Sequence, residues 1–196
     1  MNRTRGAKAP RTYLDSCIFI EVIQGITGVG GDHKDSFETC LQLLRDFEQG
    51  NYNLVMSELV YTETFHRGEA KLTDRRLSQP ARGKTLKTAS DLIDSWFQRA
   101  EIIRVEVHQG ITEQARRLAL SCRLDSHDAV HLVTAREEGC ETFITLDKKL
   151  VECVGGVDLG MRVEMPSAEW GGQTSLLIPG QPRQPDLKVI SGDGAG

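Results

Sequence analysis

The chain has 196 residues, of which 39% are hydrophobic and 27% are charged, so it is long enough for one globular domain with a buried core. No apolar run approaches the ~20 residues that a membrane helix needs. Because the first ten residues also lack the apolar core of a signal peptide, we expect a cytoplasmic protein with no membrane partner. The formal charge of −4 argues against nucleic-acid binding through bulk charge and leaves a local basic patch as the alternative.

Short apolar runs alternate with amphipathic segments along the chain, and these patterns predict strands and helices, respectively. The predicted strands cover residues 12–14, 52–57, 102–107, 142–147 and 161–166. The predicted helices cover residues 35–50, 57–63, 86–97, 112–122 and 125–139. Four glycines within residues 21–34 favour a loop there. Strands that alternate with helices predict an α/β fold, with a parallel sheet covered by helices on both faces.

The two ends of the chain differ in composition from its middle. Residues 1–10 are expected to be an N-terminal extension, and residues 11–168 to form the folded domain. Residues 169–196 are rich in Gly, Pro and Gln, a composition that predicts a disordered tail.

Acidic residues stand at positions where the predicted sheet would bring them together. Asp15 and Asp147 each end a predicted strand, and ligands of open parallel sheets bind at the carboxyl ends of the strands. Glu63 and Asp128 lie in predicted helices near the same edge. Each residue taken alone has a structural explanation, as a helix cap, a turn residue or part of a solvated helix face.

Together the four acids indicate a metal site, because crowded like charges repel unless a cation holds them. Ligands that are all oxygens favour a hard ion, Mg²⁺ or Mn²⁺. A divalent ion held by carboxylates can activate water and stabilise in-line displacement at phosphate. The chemistry that this pattern predicts is phosphodiester hydrolysis.

Three blocks of the sequence resemble the motifs of PIN-domain nucleases, the family that includes the ribonuclease toxins of toxin–antitoxin pairs. "YLDSCIFIEV" is similar to the first motif, an apolar strand followed by Asp-Ser. "SELVYTE" is similar to the second, in which Glu follows Ser by six residues. "SHDAVHLVTAREEGCETFITLDKKL" is similar to the third and fourth motifs run together. The blocks span about residues 11–166.

The resemblance implies a PIN-like three-layer sandwich with a central parallel sheet of about five strands. It implies a ribonuclease that depends on Mg²⁺ or Mn²⁺, in which an acidic quartet is catalytic and binds one or two metal ions. The members of this quartet are Asp15, Glu63, Asp128 and Asp147. Ser16 and Thr145 would orient carboxylates or water through their hydroxyl groups.

The implied partners are an RNA substrate and an antitoxin protein whose segment covers the active site, with a homodimer as a further alternative. A second class of function is a catalytically weak PIN-like module that binds RNA or protein. A complete acidic quartet argues against that module, because an inactive protein has no need to tolerate the repulsion.

The stretch "HDAVH" also resembles the zinc-binding helix of metallopeptidases. Asp128 is one methylene shorter than the glutamate of that signature, and no further histidine has the spacing of a third ligand, so a zinc peptidase is disfavoured. His131 is predicted to be a partly buried residue that packs near the sheet. His127 is predicted to be exposed and to face away from the site.

Residues 67–88 contain seven basic and two acidic residues, a local charge of +5 in an acidic protein. Such a segment is either a solvated surface or a site that binds the phosphates of a single strand. The candidate RNA-binding residues are Arg75, Arg76, Arg82, Lys84 and Lys87. A second, sparser basic group consists of Arg116, Arg117 and Arg123.

Overall fold

The computed structural model of the protein describes residues 9–27, 34–72 and 91–167. Within these ranges, five strands alternate with seven helical segments. The strands are β1 Arg11–Leu14, β2 Asn53–Ser57, β3 Ile103–Val105, β4 Thr142–Ile144 and β5 Arg162–Glu164. The helices are α1 Ser16–Thr27, α2 Lys34–Glu48, α3 Glu58–Leu72, α4 with its described part at residues 91–97, α5 Gln109–Cys122, α6 Ser126–Glu137 and α7 Lys148–Val154.

The strands form one parallel sheet in the order β3-β2-β1-β4-β5, which confirms the predicted α/β fold. β1 is the central strand, and Tyr13 pairs with Val55 on one side and with Phe143 on the other. All three side chains are fully buried, as expected for a parallel sheet covered on both faces. Asp15 directly follows β1 and therefore lies at the middle of the carboxyl edge of the sheet.

The helices divide between the two faces because parallel crossovers are right-handed. The chain moves from β1 through β2 to β3 in one direction along the sheet, and then returns to β4 and β5 in the other. This reversal places α1 to α4 on one face and α5 to α7 on the opposite face. The packing agrees: α1 contacts α2 and α3, and α5 contacts α6. The three-layer arrangement puts a switch point beside β1, where open α/β sheets bind ligands.

The prediction of a loop over residues 21–34 is wrong where the structure describes that stretch, because α1 continues through Thr27 and α2 begins at Lys34. Ile18, Phe19 and Val22 of α1 are completely buried, and this burial outweighs the poor helix propensity of glycine. Gly25 packs against the ring of Phe37 in α2, and a Cβ at that position would overlap the ring. Glycine is therefore needed here for close helix packing.

Other predicted boundaries also differ from the structure. The fourth strand ends at Ile144, and the short helix α7, which the sequence patterns did not predict, begins at Lys148. α2 begins at Lys34, one residue before the predicted start of this helix at Asp35, and ends at Glu48. The N-terminal extension and the C-terminal tail lie outside the described residues, apart from residues 9 and 10. Among the described residues, no helix is long and apolar enough to cross a membrane.

Candidate functional site

Asp15 is held at the sheet edge by its neighbours. Its backbone N–H donates to the carbonyl of Ile144, which ties the end of β1 to β4. The Thr145 hydroxyl donates to Asp15 Oδ2 at 2.7 Å and the Cys17 thiol to the same oxygen at 3.1 Å, while Ser16 Oγ lies 3.3 Å from Oδ1. Burial raises the pKa of the Cys17 thiol, so this group stays protonated and remains a donor. The carboxylate is buried and its orientation is fixed.

Glu63 reaches the same place from α3. Ser16 Oγ donates to Glu63 Oε2 at 2.6 Å, and His131 Nε2 lies 3.1 Å from the same oxygen. His127 Nδ1 lies 2.8 Å from Oε1. Burial alone would raise the pKa of Glu63, but hydrogen bonds from His131 and Ser16 and the charge of the two histidines outweigh it and lower the pKa to about 2. Glu63 is therefore a buried carboxylate that stays ionised.

His131 joins this carboxylate to a buried pair of hydroxyl groups. Its side chain is 1% exposed, and its Nδ1 lies 2.8 Å from Tyr13 Oη. Tyr13 donates to Ser57 Oγ at 2.9 Å and accepts from the Ser57 backbone N–H at 3.2 Å. Burial raises the pKa of Tyr13 far above its usual range, so the phenol remains neutral. The imidazole ring is fixed at both nitrogens.

Asp128 lies in the first turn of α6, where its neighbours are mostly negatively charged. Burial and the negative charge of Asp15, followed by those of Asp125 and Asp147, raise its pKa to about 6; His131 opposes this shift. The carboxylates of Asp15 and Asp147 are thus close enough to Asp128 to disfavour its ionisation.

Asp147 is exposed and caps α7. Its Oδ1 accepts from the backbone N–H groups of Lys149 at 2.8 Å and Leu150 at 3.2 Å. Its own N–H donates to Thr145 Oγ1 at 3.0 Å, while that hydroxyl donates to Asp15. Asp147 therefore caps α7, which is a common role for an aspartate that follows a strand. Thr145 connects the two strand-end acids.

One group of donor atoms has the dimensions of a metal site. Single donor atoms of Asp15, Glu63 and His131 all lie within 4.8 Å of one another, and all three residues are buried. Two of the four predicted acids are thus members of this group, and Asp128 lies within electrostatic range of Asp15 and Asp147. Ser16 and Thr145 donate to the acids, as their predicted orienting role requires.

The two histidines differ from what the sequence patterns predicted. His131 is more deeply buried than predicted and is bonded to Glu63. His127 is exposed, as predicted, but the prediction that it faces away is wrong, because it contacts Glu63. Residues four apart share one helix face, and this spacing is the signal that could have placed both rings beside one carboxylate.

The basic residues divide into those that the structure describes and those outside it. The predicted RNA-binding residues Arg75, Arg76, Arg82, Lys84 and Lys87 lie outside the described residues. Of the second group, Arg116 and Arg117 lie on the exposed face of α5 and pair with Glu113 at 2.9 and 3.2 Å. Their ion pairs are those of a solvated helix face.

A parallel α/β sheet with an acidic cluster at its carboxyl edge is the arrangement that the sequence motifs predicted. A model of the PIN domain family matches residues 12–154, which include every member of the acidic cluster. The match covers well over half of the chain, and the protein belongs to the PIN domain family, a family of nucleases. Among curated proteins no relative matches significantly.

Two solved structures are similar to this chain over most of their own length. A toxin–antitoxin complex from Klebsiella pneumoniae has 18% identity, with 80% of this chain and 98% of that chain covered and a TM-score of 0.48. VapC20 of Mycobacterium tuberculosis, described as a toxin that cleaves the sarcin–ricin loop, has 15% identity, with 71% and 92% covered and a TM-score of 0.47.

Proposed function

We propose that the protein is a metal-dependent ribonuclease that hydrolyses RNA phosphodiester bonds and serves as the toxin of a toxin–antitoxin pair. The observation that carries this proposal is the convergence of carboxylates at the carboxyl edge of the sheet. Asp15 and Glu63 are buried there side by side, and Asp128 lies half-buried near them, with its pKa raised by burial and by the negative charges of Asp15, Asp125 and Asp147.

The residues present fit a divalent cation. The donor atoms of Asp15 and Glu63 are close together, buried and oriented by fixed hydrogen bonds. The raised pKa of Asp128 reports an excess of negative charge that a cation would relieve. Asp15, Glu63, Asp128 and Asp147 would hold Mg²⁺ or Mn²⁺. When bound, such an ion lowers the pKa of a coordinated water and stabilises charge on the phosphate.

The protein's own residues fix the geometry that this chemistry requires. Ser16 donates to Glu63 and lies beside Asp15, so one hydroxyl aligns carboxylates from two elements. The Thr145 hydroxyl donates to the Asp15 carboxylate and accepts from the backbone N–H of Asp147, so it connects the two strand-end residues. These neutral donors orient the carboxylates without cancelling the charge that attracts a metal ion.

Arg75, Arg76, Arg82, Lys84 and Lys87 are proposed to contact the phosphates of the RNA. Each such contact contributes about −0.7 to the slope of log K against log salt for a single strand. Replacing all five by Gln should therefore flatten the slope by up to about 3.5 and weaken binding to all sequences alike. An unchanged slope and affinity would assign the segment to a solvated surface, and the RNA path would then be sought near Arg116, Arg117 and Arg123.

The proposed toxin role is supported by membership of a family that includes the ribonuclease toxins of toxin–antitoxin pairs. It requires a partner antitoxin that covers the acidic edge. Production of the protein alone should arrest growth, and co-production of an antitoxin, to be sought in the neighbouring reading frames, should relieve the arrest. Growth that continues while active enzyme accumulates would contradict the toxin role and leave the ribonuclease proposal standing.

Ribonuclease activity is tested by comparing two neighbouring acids of α6. Asp128→Asn removes a proposed metal ligand and should abolish cleavage of RNA by the purified protein. Asp125→Asn removes a charge of the same sign from the N-cap position, where Asn can still accept from the His127 N–H, and should leave cleavage nearly unchanged. RNA binding without cleavage by the unaltered protein would favour the alternative of a catalytically weak binding module.

A further inference from the structure

His131 separates two kinds of partner inside the protein. On one side, its Nδ1 faces the hydroxyl of Tyr13 at 2.8 Å. On the other side, its Nε2 faces Glu63 Oε2 at 3.1 Å and Asp15 Oδ1 at 4.0 Å. The ring is 1% exposed, so bulk water does not compete for either nitrogen. The imidazole therefore points one nitrogen directly at the two buried carboxylates.

The hydroxyl pair behind the ring allows that nitrogen to act as an acceptor. Tyr13 Oη receives the Ser57 N–H and donates its proton to Ser57 Oγ, which leaves it able to accept from His131 Nδ1–H. With Nδ1 facing this acceptor, Nε2 is the ring atom that faces the carboxylates. In the metal-free protein a proton on Nε2 is donated to Glu63, and a divalent ion between the nitrogen and the two carboxylates would take the place of that proton.

The three donor atoms are close enough together to bind one shared ion. Two donors bound at about 2.2 Å to one ion are at most about 4.4 Å apart. The donor atoms of Asp15, Glu63 and His131 lie within 4.8 Å of one another, so shifts of a few tenths of an ångström would close the group around a metal. A ligating histidine usually donates its other N–H to a fixed acceptor, and Tyr13 is placed to be that acceptor.

We propose that His131 Nε2 binds the divalent ion together with Asp15 and Glu63, and that this imidazole makes the site favour Mn²⁺ over Mg²⁺. The inference rests on the metal site of the proposed function and changes its ligand set from oxygens alone to a mixed site. Imidazole suits first-row transition ions, whereas Mg²⁺ prefers oxygen ligands throughout.

His127 provides a matched control on the same helix. It lies one helical turn before His131 and contacts the other oxygen of Glu63 at 2.8 Å. Its side chain is 56% exposed, and it is not part of the group whose donor atoms lie close together. Both histidines contact Glu63, so His127 serves as a control that contacts this carboxylate without binding the metal, whereas His131 is the proposed ligand.

The test is pulsed electron paramagnetic resonance of Mn²⁺ bound to the full-length protein without RNA. Direct coordination should give hyperfine coupling to one nitrogen, and labelling the histidines with ¹⁵N should change that coupling. The coupling should persist in His127→Gln and disappear in His131→Gln. His131→Gln should also weaken Mn²⁺ binding by about tenfold or more while changing Mg²⁺ binding much less.

The outcomes separate this inference from the ribonuclease proposal. If Mn²⁺ binds to the unaltered protein without nitrogen coupling, or if the coupling is lost in His127→Gln, His131 is not the ligand and a carboxylate-only site remains. If His131→Gln does not fold, the spectra of the unaltered and His127→Gln proteins still decide the point. Absence of RNA cleavage despite nitrogen-coordinated Mn²⁺ would overturn the proposed activity and leave the mixed metal site intact.

Discussion

The two halves of the candidate site hold their carboxylates in different ways. Asp15 and Glu63 are buried and receive hydrogen bonds from hydroxyl, thiol and imidazole groups. Asp128 is half-buried and repelled by its neighbours, while Asp147 is exposed and held by the first turn of α7. The buried half is therefore fixed before any ligand arrives. The outer half carries the negative charges that raise the pKa of Asp128.

This difference predicts that the buried half is the more sensitive to substitution. Asp15→Asn should lower RNA cleavage by several orders of magnitude at saturating Mn²⁺, because it removes the central carboxylate while keeping the shape of the side chain. Initial cleavage rates, with circular dichroism to verify folding, measure the effect. Asp158→Asn, an exposed acid outside the site, is the control. Equal rates in the two variants would remove Asp15 from the catalytic set.

A substitution at Thr145 tests the connection between the halves. Thr145→Ala deletes the hydroxyl that donates to Asp15 and accepts from the Asp147 N–H, and should lower the cleavage rate about 10- to 100-fold. Thr145→Ser keeps that hydroxyl and should retain most of the rate. If the two variants lose activity equally, the methyl group and its packing matter, and the orienting role assigned to Thr145 is wrong.

The charge of the outer half has a signature in stability. The pKa of Asp128 is raised from 3.8 to about 6, so its ionisation costs stability as pH rises through this interval. In the metal-free protein, Asp128→Asn should raise the free energy of unfolding by roughly 1–2 kcal/mol at pH 7.5. The gain should vanish near pH 4. Urea unfolding in EDTA at both pH values measures it, and a loss of stability at pH 7.5 would show that the carboxylate is not crowded.

The smallest effect is expected at His127. Its exposed contact with Glu63 should contribute no more than about 1 kcal/mol, because solvent screens such pairs. His127→Gln should accordingly change both the melting temperature and the cleavage rate only slightly. If His127→Gln lost as much cleavage activity as Asp15→Asn, His127 would take part in the reaction and a histidine-based metal site would be favoured.

The acidic edge could be predicted from the sequence because its signals are local. Asp15 and Asp147 directly follow apolar strand residues, and the topology of a parallel sheet then brings them to one edge. Glu63 and Asp128 were found through motif spacing and helix position. The match of the PIN domain family to residues 12–154 confirms the family resemblance that those motifs suggested.

The features that were missed depend on contacts between distant residues. α1 contains Gly25, which sequence patterns assign to a loop, and the helix continues there because its apolar residues are buried and Gly25 packs closely against Phe37. α7 has seven residues, too few for a periodic pattern, and depends on the cap that Asp147 supplies. The buried His131 ring contacts Tyr13, which lies 118 positions away in the sequence, and the stretch "HDAVH" contains no signal for that contact.

RNA cleavage by the purified protein during metal removal and return tests the assigned chemistry most directly. EDTA should abolish cleavage, and stepwise addition of Mn²⁺ should restore it in proportion to the occupied metal site. Asp15→Asn should remain inactive at every Mn²⁺ concentration. Cleavage that continues in EDTA, or that Zn²⁺ alone restores in a manner dependent on His127, would contradict a carboxylate-held metal site at this sheet edge.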